Sequence, residues 1–127
     1  MKKILLTLAI LLINVAAFCQ LKAAAVTLTI GVRDYEFQEF EWGETRVIEE
    51  IIPIIIDGKD ITIYTEDVQY YQTLMPEYET NDGNGSFWYA YDVNMKKCKF
   101  YMYNDGANFI MIEYNDVCII YGIIYRN

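Results

Sequence analysis

Beyond residue 25 apolar and polar residues alternate with a period of two over much of the chain, the spacing of strands rather than helices. Three such runs close the sequence, 97–103, 108–114 and 117–125, separated by Asn104-Asp105-Gly106-Ala107 and by Asn115-Asp116. They predict a three-stranded antiparallel meander. Asp-Gly between alternating runs is a strong hairpin signal, because a type I′ turn needs positive φ at both central residues. With two-residue turns, Cys98 faces Glu113 and then Cys118, Phe100 faces Met111 and Ile120, and Met102 faces Phe109 and Gly122. This register predicts a core face of Cys98, Phe100, Met102, Phe109, Met111, Cys118, Ile120 and Ile124, with Glu113 as its one charge at the rim of the sheet. The opposite face carries Lys99, Tyr101, Tyr103, Ile110, Ile112, Tyr114, Ile119, Tyr121, Ile123 and Tyr125. That face is too apolar to be simply solvated, so a second sheet, a loop, a twin subunit or a ligand is expected to cover it.

The earlier chain reads the same way. Val26, Leu28, Ile30 and Val32 alternate with Thr27 and Thr29 in a first strand. The phase slips by one residue between Tyr35 and Phe37 on one side and Phe40 and Trp42 on the other, which predicts a β-bulge near Gln38-Glu39. Runs 45–56 and 60–65 flank Asp57-Gly58, a second hairpin that sets Ile54 against Ile61 and Ile52 against Ile63. Pro53 has no N–H to donate, so the 45–56 strand is expected to be an edge or bulged there, and the barrel partly open. Residues 66–74 read as a short strand or a helical turn, 75–86 as the longest loop, and 87–92 as an aromatic strand. The predicted fold is all-β: a single domain of about seven to eight antiparallel strands in a meander-rich small barrel or sandwich.

Residues 1–19 stand apart. Lys2-Lys3 precede an apolar run broken only by Thr7 and Asn14, and Ala17-Phe18-Cys19 offers small residues at the positions three and one before Gln20. This is a signal-peptide pattern, too short to anchor, which places the domain at 20–127 and the protein in the periplasm or outside the cell. Phe18 argues against lipid attachment at Cys19, because a lipobox wants a small residue there. The chain carries a net charge of −8, and losing Lys2 and Lys3 makes it more negative. That argues against nucleic acid or anionic membranes as partners, since both reward clustered Lys and Arg. No second long apolar run offers a transmembrane span.

The chemistry is sparse. There is no His, which removes the commonest general base and metal ligand, and Ser86, the single serine, does not sit in a nucleophile elbow. No catalytic residue, cofactor or metal is predicted. Asp82-Gly83-Asn84-Gly85-Ser86 begins like a calcium loop, but Phe87 and Val93 stand where its glycine and bidentate Glu belong, so it reads as a flexible polar loop. Cys98 and Cys118 are expected to be unbridged, buried thiols, because a whole strand separates them.

The order of motifs resembles a group of small exported β-rich proteins of Bacteroidota and their phages. The resemblance runs through Glu41-Trp42-Gly43-Glu44, Ile-Asp-Gly-Lys-Asp-Ile-Thr-Ile-Tyr at 56–64, the aromatic strand 87–91, Lys97-Cys98 and Glu113-Tyr114-Asn115-Asp116-Val117. It implies an all-β domain and brings no activity or catalytic residues with it. The expected function is accordingly a non-enzymatic binding or interaction domain. It would engage a protein, a peptide or a second copy of itself through an aromatic patch, with Trp42, Trp88, Tyr101, Tyr103 and Tyr121 as candidates, or through a strand edge. Two alternatives make distinct demands. A lipocalin-like carrier of a small apolar ligand needs an internal cavity, and a carboxylate-dependent hydrolase or inhibitor needs acids such as Glu36, Glu39, Glu41 and Glu44 to converge near Trp42.

Overall fold

The computed structural model describes residues 20–34, 36, 38–103 and 108–126. The signal-peptide reading of 1–19 lies outside them, as do Tyr35, Phe37 and the Asn104-Asp105-Gly106-Ala107 turn. Nine strands follow in order: β1 (Gln20–Asp34), β2 (Glu39–Trp42), β3 (Arg46–Asp57), β4 (Asp60–Ile63), β5 (Gln69–Glu79), β6 (Gly85–Asp92), β7 (Lys97–Tyr103), β8 (Phe109–Glu113) and β9 (Val117–Arg126). Every pairing is antiparallel, and β1 also pairs with β9, so eight strands close into a barrel with β2 as an extra strand. The expected small antiparallel barrel is the fold observed.

The first hairpin corrects one expectation. Instead of a bulge near Gln38-Glu39, the chain reverses between Asp34 and its partner Glu39. The reversal is held by the Glu36 N–H, which donates to Asp34 Oδ1 at 2.9 Å, and by Gln38 at φ 59°. A chain reversal between Asp34 and Glu39 shifts the apolar phase as a bulge would. After Gly43-Glu44-Thr45 the same path continues as β3, so β2 and β3 together form the long second arm of the β1 hairpin.

At the next turn Asp57 pairs with Asp60, leaving Gly58 and Lys59 as the two loop residues. Gly58 supplies φ +59° at the first central position, a conformation that L side chains avoid. Ile54 and Ile56 therefore meet Ile63 and Ile61, a register two residues from the expected one. An even shift keeps the same residues inside.

Pro53 does not mark a gap in the barrel's circuit, because β3 pairs with β1 on one side and with β4 on the other. The proline instead sits where the β3–β4 ladder stops. Its carbonyl accepts from Tyr64 N–H at 3.0 Å, and the missing N–H points to the same side, just past the end of β4. Residues 46–52 of β3, together with β2, pair only with β1 among the described residues. The open edge expected near Pro53 is thus present as a stretch of backbone on a closed barrel.

The closing meander contains the largest correction. Lys99 pairs with Glu113, Phe100 with Ile112 and Met102 with Ile110, because five residues separate Tyr103 from its partner Phe109. The odd loop length shifts the register by one and exchanges the faces of β8 relative to β7. The second turn has the expected two residues, with Glu113 opposite Cys118 and Ile112 opposite Ile119. Phe109, Met111, Cys118, Ile120 and Ile124 therefore leave the predicted core face for the outside. Ile110, Ile112, Tyr114, Ile119, Tyr121 and Ile123 go inside, with Cys98, Phe100 and Met102.

These residues fill the barrel with Ile54, Ile61, Ile63, Tyr71, Ala90, Ala23 and Ala25. Phe100, Ile54, Ile63, Ile110 and Ile112 are fully buried, each contributing roughly 1.5–3 kcal/mol of transfer free energy. Strand β5 runs through the expected loop at 75–79, so the β5–β6 connection is only residues 80–84. Cys98 and Cys118 are both free and buried, with β8 between their strands and their side chains on opposite faces. Burial pushes the Cys98 thiol up to about 11 and the Cys118 thiol up to about 12, so both stay protonated and unreactive at neutral pH.

Candidate functional site

Alternation along β6, β7 and β8 turns one set of side chains outward, and most of that set is aromatic. Phe87 and Tyr89 of β6, Tyr101 and Tyr103 of β7, and Phe109 of β8 stand on adjacent strands, and Tyr78 of β5 joins them beyond a register shift in the β5–β6 ladder. Their rings form an unbroken chain of contacts. Tyr78 to Phe87 is 5.2 Å between centroids, Phe87 to Tyr101 5.1 Å, Tyr101 to Tyr103 6.1 Å and Tyr103 to Phe109 4.5 Å. Tyr89 stands edge-on to both Tyr78 and Phe87, an arrangement that the ring quadrupole favours. Tyr78 is 41% exposed and the others are half-buried, so the wall presents ring faces and edges to solvent.

Two polar features frame the wall. The Tyr101 hydroxyl donates to Glu113 Oε2 at 2.9 Å. Burial and then this bond push the Tyr101 pKa above its ordinary value, and the hydroxyl remains a donor at any physiological pH. At the other end the 80–84 loop overlooks the rings, leaving a cleft of about 380 Å³ between Asn81, Asp82, Phe87, Tyr101, Tyr103 and Met111. That loop is firmly tied. The Thr80 hydroxyl donates to Asp82 Oδ1 at 2.6 Å and accepts from the Gly85 N–H at 3.1 Å, and the Asn84 N–H donates to the same Asp82 oxygen at 3.0 Å. The Thr80 bond and the Asn84 N–H hold the Asp82 carboxyl below its usual pKa. One carboxylate oxygen of Asp82, Oδ1, is thus engaged by the loop itself. Among the described residues no group of three or more His, Cys, Asp or Glu converges to hold a metal ion.

The five predicted surface residues separate into three groups. Tyr101 and Tyr103 lie side by side in the wall. Trp42 stands on β2, 46% exposed and 5.7 Å from Phe40, with its ring packed on Gly31 so closely that a Cβ there would come within 2.7 Å of it. Trp88 and Tyr121 face inward. Trp88 packs against the core, and Tyr121 is only 4% exposed. Sequence reasoning missed Tyr78, Phe87, Tyr89 and Phe109 as wall residues. Phe109 was placed inside by the wrong loop length, Tyr78 lay in a supposed loop, and the face of Phe87 depended on a register that the sequence does not specify.

Tyr121 belongs instead to a polar network at one mouth of the barrel. Gln69 donates to the Tyr121 hydroxyl at 3.0 Å and accepts from the Tyr71 hydroxyl at 2.7 Å, while Tyr114 donates to Asp92 Oδ2 at 2.8 Å. Burial opposes ionisation of Asp92, but the N–H groups of Lys96 and Asn94 and the Tyr114 hydroxyl outweigh it and hold the carboxyl below its ordinary pKa. Among the described residues no buried side-chain polar atom lacks a hydrogen-bond partner. The mouth leaves a cleft of about 260 Å³ beside Gln69, Tyr71, Asp92 and Tyr114, below the usual range of roughly 300–1,000 Å³ for a ligand pocket. Below it the barrel centre is occupied by Phe100 and the isoleucines.

The acids considered for hydrolysis, Glu36, Glu39, Glu41 and Glu44, are all exposed. Glu39 and Glu41 pair with Asp34 and Val32 on β1. Residues 46–52, unpaired on the edge away from β1, carry Val47 at 80% exposure and Ile51 at 54%.

Fold and site together define a closed antiparallel eight-stranded barrel with a filled interior and an aromatic outer wall. Among the described residues no helix is long and apolar enough to cross a membrane. No protein-family model, curated protein or solved structure matches the chain.

Proposed function

We propose that this chain is an exported, non-enzymatic interaction domain that docks a protein partner on its outer aromatic wall. One observation carries the reading: six rings in continuous contact, from Tyr78 to Phe109, face outward while the barrel interior is already packed. Aromatic side chains give large contact area at small conformational cost, and the tyrosines keep a polar handle for the rim of an interface. A photo-crosslinking residue in place of Tyr103 tests the reading in the exporting host. The expected result is one adduct of defined mass, lost when Phe87 and Tyr101 are changed to Ser; no adduct, or one that persists in that variant, overturns it.

The unpaired edge at 46–52 supports a second reading, addition of a partner's strand to β3, with Val47 and Ile51 beside the exposed backbone. Glu49→Pro should then abolish binding and leave the wall adduct untouched. Undiminished binding in a folded variant counts against strand addition.

A further inference from the structure

A cleft of about 350 Å³ opens on the outside of the barrel where β1 ends and β7 begins, lined by Arg33, Tyr89, Lys97, Lys99, Glu113 and Asn115 among others. Three of the chain's ten basic residues meet here, in a protein whose net charge is −8. What holds them is unusual for cations. Arg33 Nε donates to the Asn115 carbonyl, its Nη1 donates to the Gln38 carbonyl at 3.3 Å, and its guanidinium lies 4.5 Å from the Phe40 ring centroid. The Lys97 ammonium sits 4.9 Å from the Tyr89 ring centroid, and the Lys99 ammonium sits 5.7 Å from the same ring and from Phe87. Carbonyl oxygens and ring faces orient a cation without cancelling its charge. Glu113, the carboxylate in the cleft, already accepts the Tyr101 hydroxyl.

Two ammonium groups beside one ring, with a clamped guanidinium lining the same cleft, repel one another, and Glu113, opposite Lys99 on β8, is the one lining carboxylate that offsets them. Among the residues that line the cleft three cations face one carboxylate, a balance that suits a dianion better than a monoanion. Guanidinium and ammonium donors both bind phosphate oxygens well. We propose that this cleft is a binding site for a phosphate group carried on a small molecule. It shares Tyr89 with the aromatic wall and does not require that the wall have a partner.

Isotope-labelled protein titrated with inorganic phosphate, and separately with phenyl phosphate, at an ionic strength of about 0.01 M tests the site while screening is weak. Saturable shifts are expected at the amides of Arg33, Lys97, Lys99 and Asn115. The dissociation constant should rise by roughly tenfold or more in the folded double variant Lys97→Gln, Lys99→Gln, a difference well resolved by titration. It should be unchanged in Lys59→Gln, whose charge lies at the β3–β4 turn. Tighter binding of phenyl phosphate than of inorganic phosphate supports a phosphate carried on a small molecule, and equal binding overturns that carrier in favour of the free ion. Shifts that never saturate, or an equal loss in Lys59→Gln, overturn the site. Malonate binding as tightly as phosphate overturns the assignment to phosphate.

Discussion

The two faces of β7 differ by one residue in sequence and by the whole of their role. Cys98, Phe100 and Met102 point inward, where Phe100 is fully buried between Trp88 and Ile112 on the neighbouring strands. Lys99, Tyr101 and Tyr103 point outward and meet rings that remain half-exposed. Both faces are rich in apolar area, so hydrophobicity does not tell them apart. The distinction is that the inner side chains are enclosed on all sides, whereas the outer rings touch one another and then water. Apolar faces left uncovered by a fold are common sites of contact between proteins, which is the basis of the docking proposal.

Substitutions on the two faces should therefore separate stability from binding. Phe100→Ala opens a cavity in the filled interior and should cost about 3–5 kcal/mol, read as a lowered urea midpoint with the slope retained. Gln69→Ala leaves the Tyr71 and Tyr121 hydroxyls at the mouth without their shared partner and should cost about 1–3 kcal/mol. Tyr101→Phe removes a half-exposed hydrogen bond to Glu113 and should shift the same midpoint by about 1 kcal/mol or less. If Tyr101→Phe proved as damaging as Phe100→Ala, the inside and outside of β7 would have been assigned the wrong way round.

Acidity sharpens the same contrast. Cys98 and Cys118 have folded pKa values of about 11 and 12, raised first by burial and above the ordinary thiol value of about 8.5. The folded state thus holds protons that the unfolded chain gives up, and their contribution to stability is complete below about pH 8.5 and lost as the pH rises toward the folded values. Alkaline unfolding should begin earlier in the wild type than in the Cys98→Ala, Cys118→Ala variant, once the acid-side stabilities of the two are normalised. Asp92 works in the opposite direction, because its folded pKa is lowered; its contribution is present above the ordinary carboxyl range and disappears as the pH falls through the folded value.

How far these faces can be read from sequence depends on turn length. Asn115-Asp116 has two residues, and the pairing of Glu113 with Cys118 follows from counting outward. Around Asp105-Gly106 the loop has five, and that odd number moved Phe109 and Met111 outside while Ile110 and Ile112 went in. Nothing in the residue types announces the extra residue. At 35–38 no Gly or Pro marks the reversal, so a phase slip that a bulge also produces was the only local signal. Antiparallel order and the isoleucine core row shared by 52–56 and 61–63 were legible because alternation and a Gly turn specify them together, although the pairing within that row is shifted by two residues. Of the site, Tyr101 and Tyr103 were legible on one strand. The wall was not, since it is assembled by registers across four strands, and the cleft at Arg33 depends on contacts 82 residues apart.

The central claim, that the outward face of β6 to β8 is the docking surface, is tested most directly by a crosslinking residue at position 103 with a matched one at position 47 on the open edge. An adduct formed from position 103 alone, and lost in the folded Phe87→Ser, Tyr101→Ser variant, is the predicted result. An adduct formed only from position 47, or formed from 103 regardless of those substitutions, would contradict it.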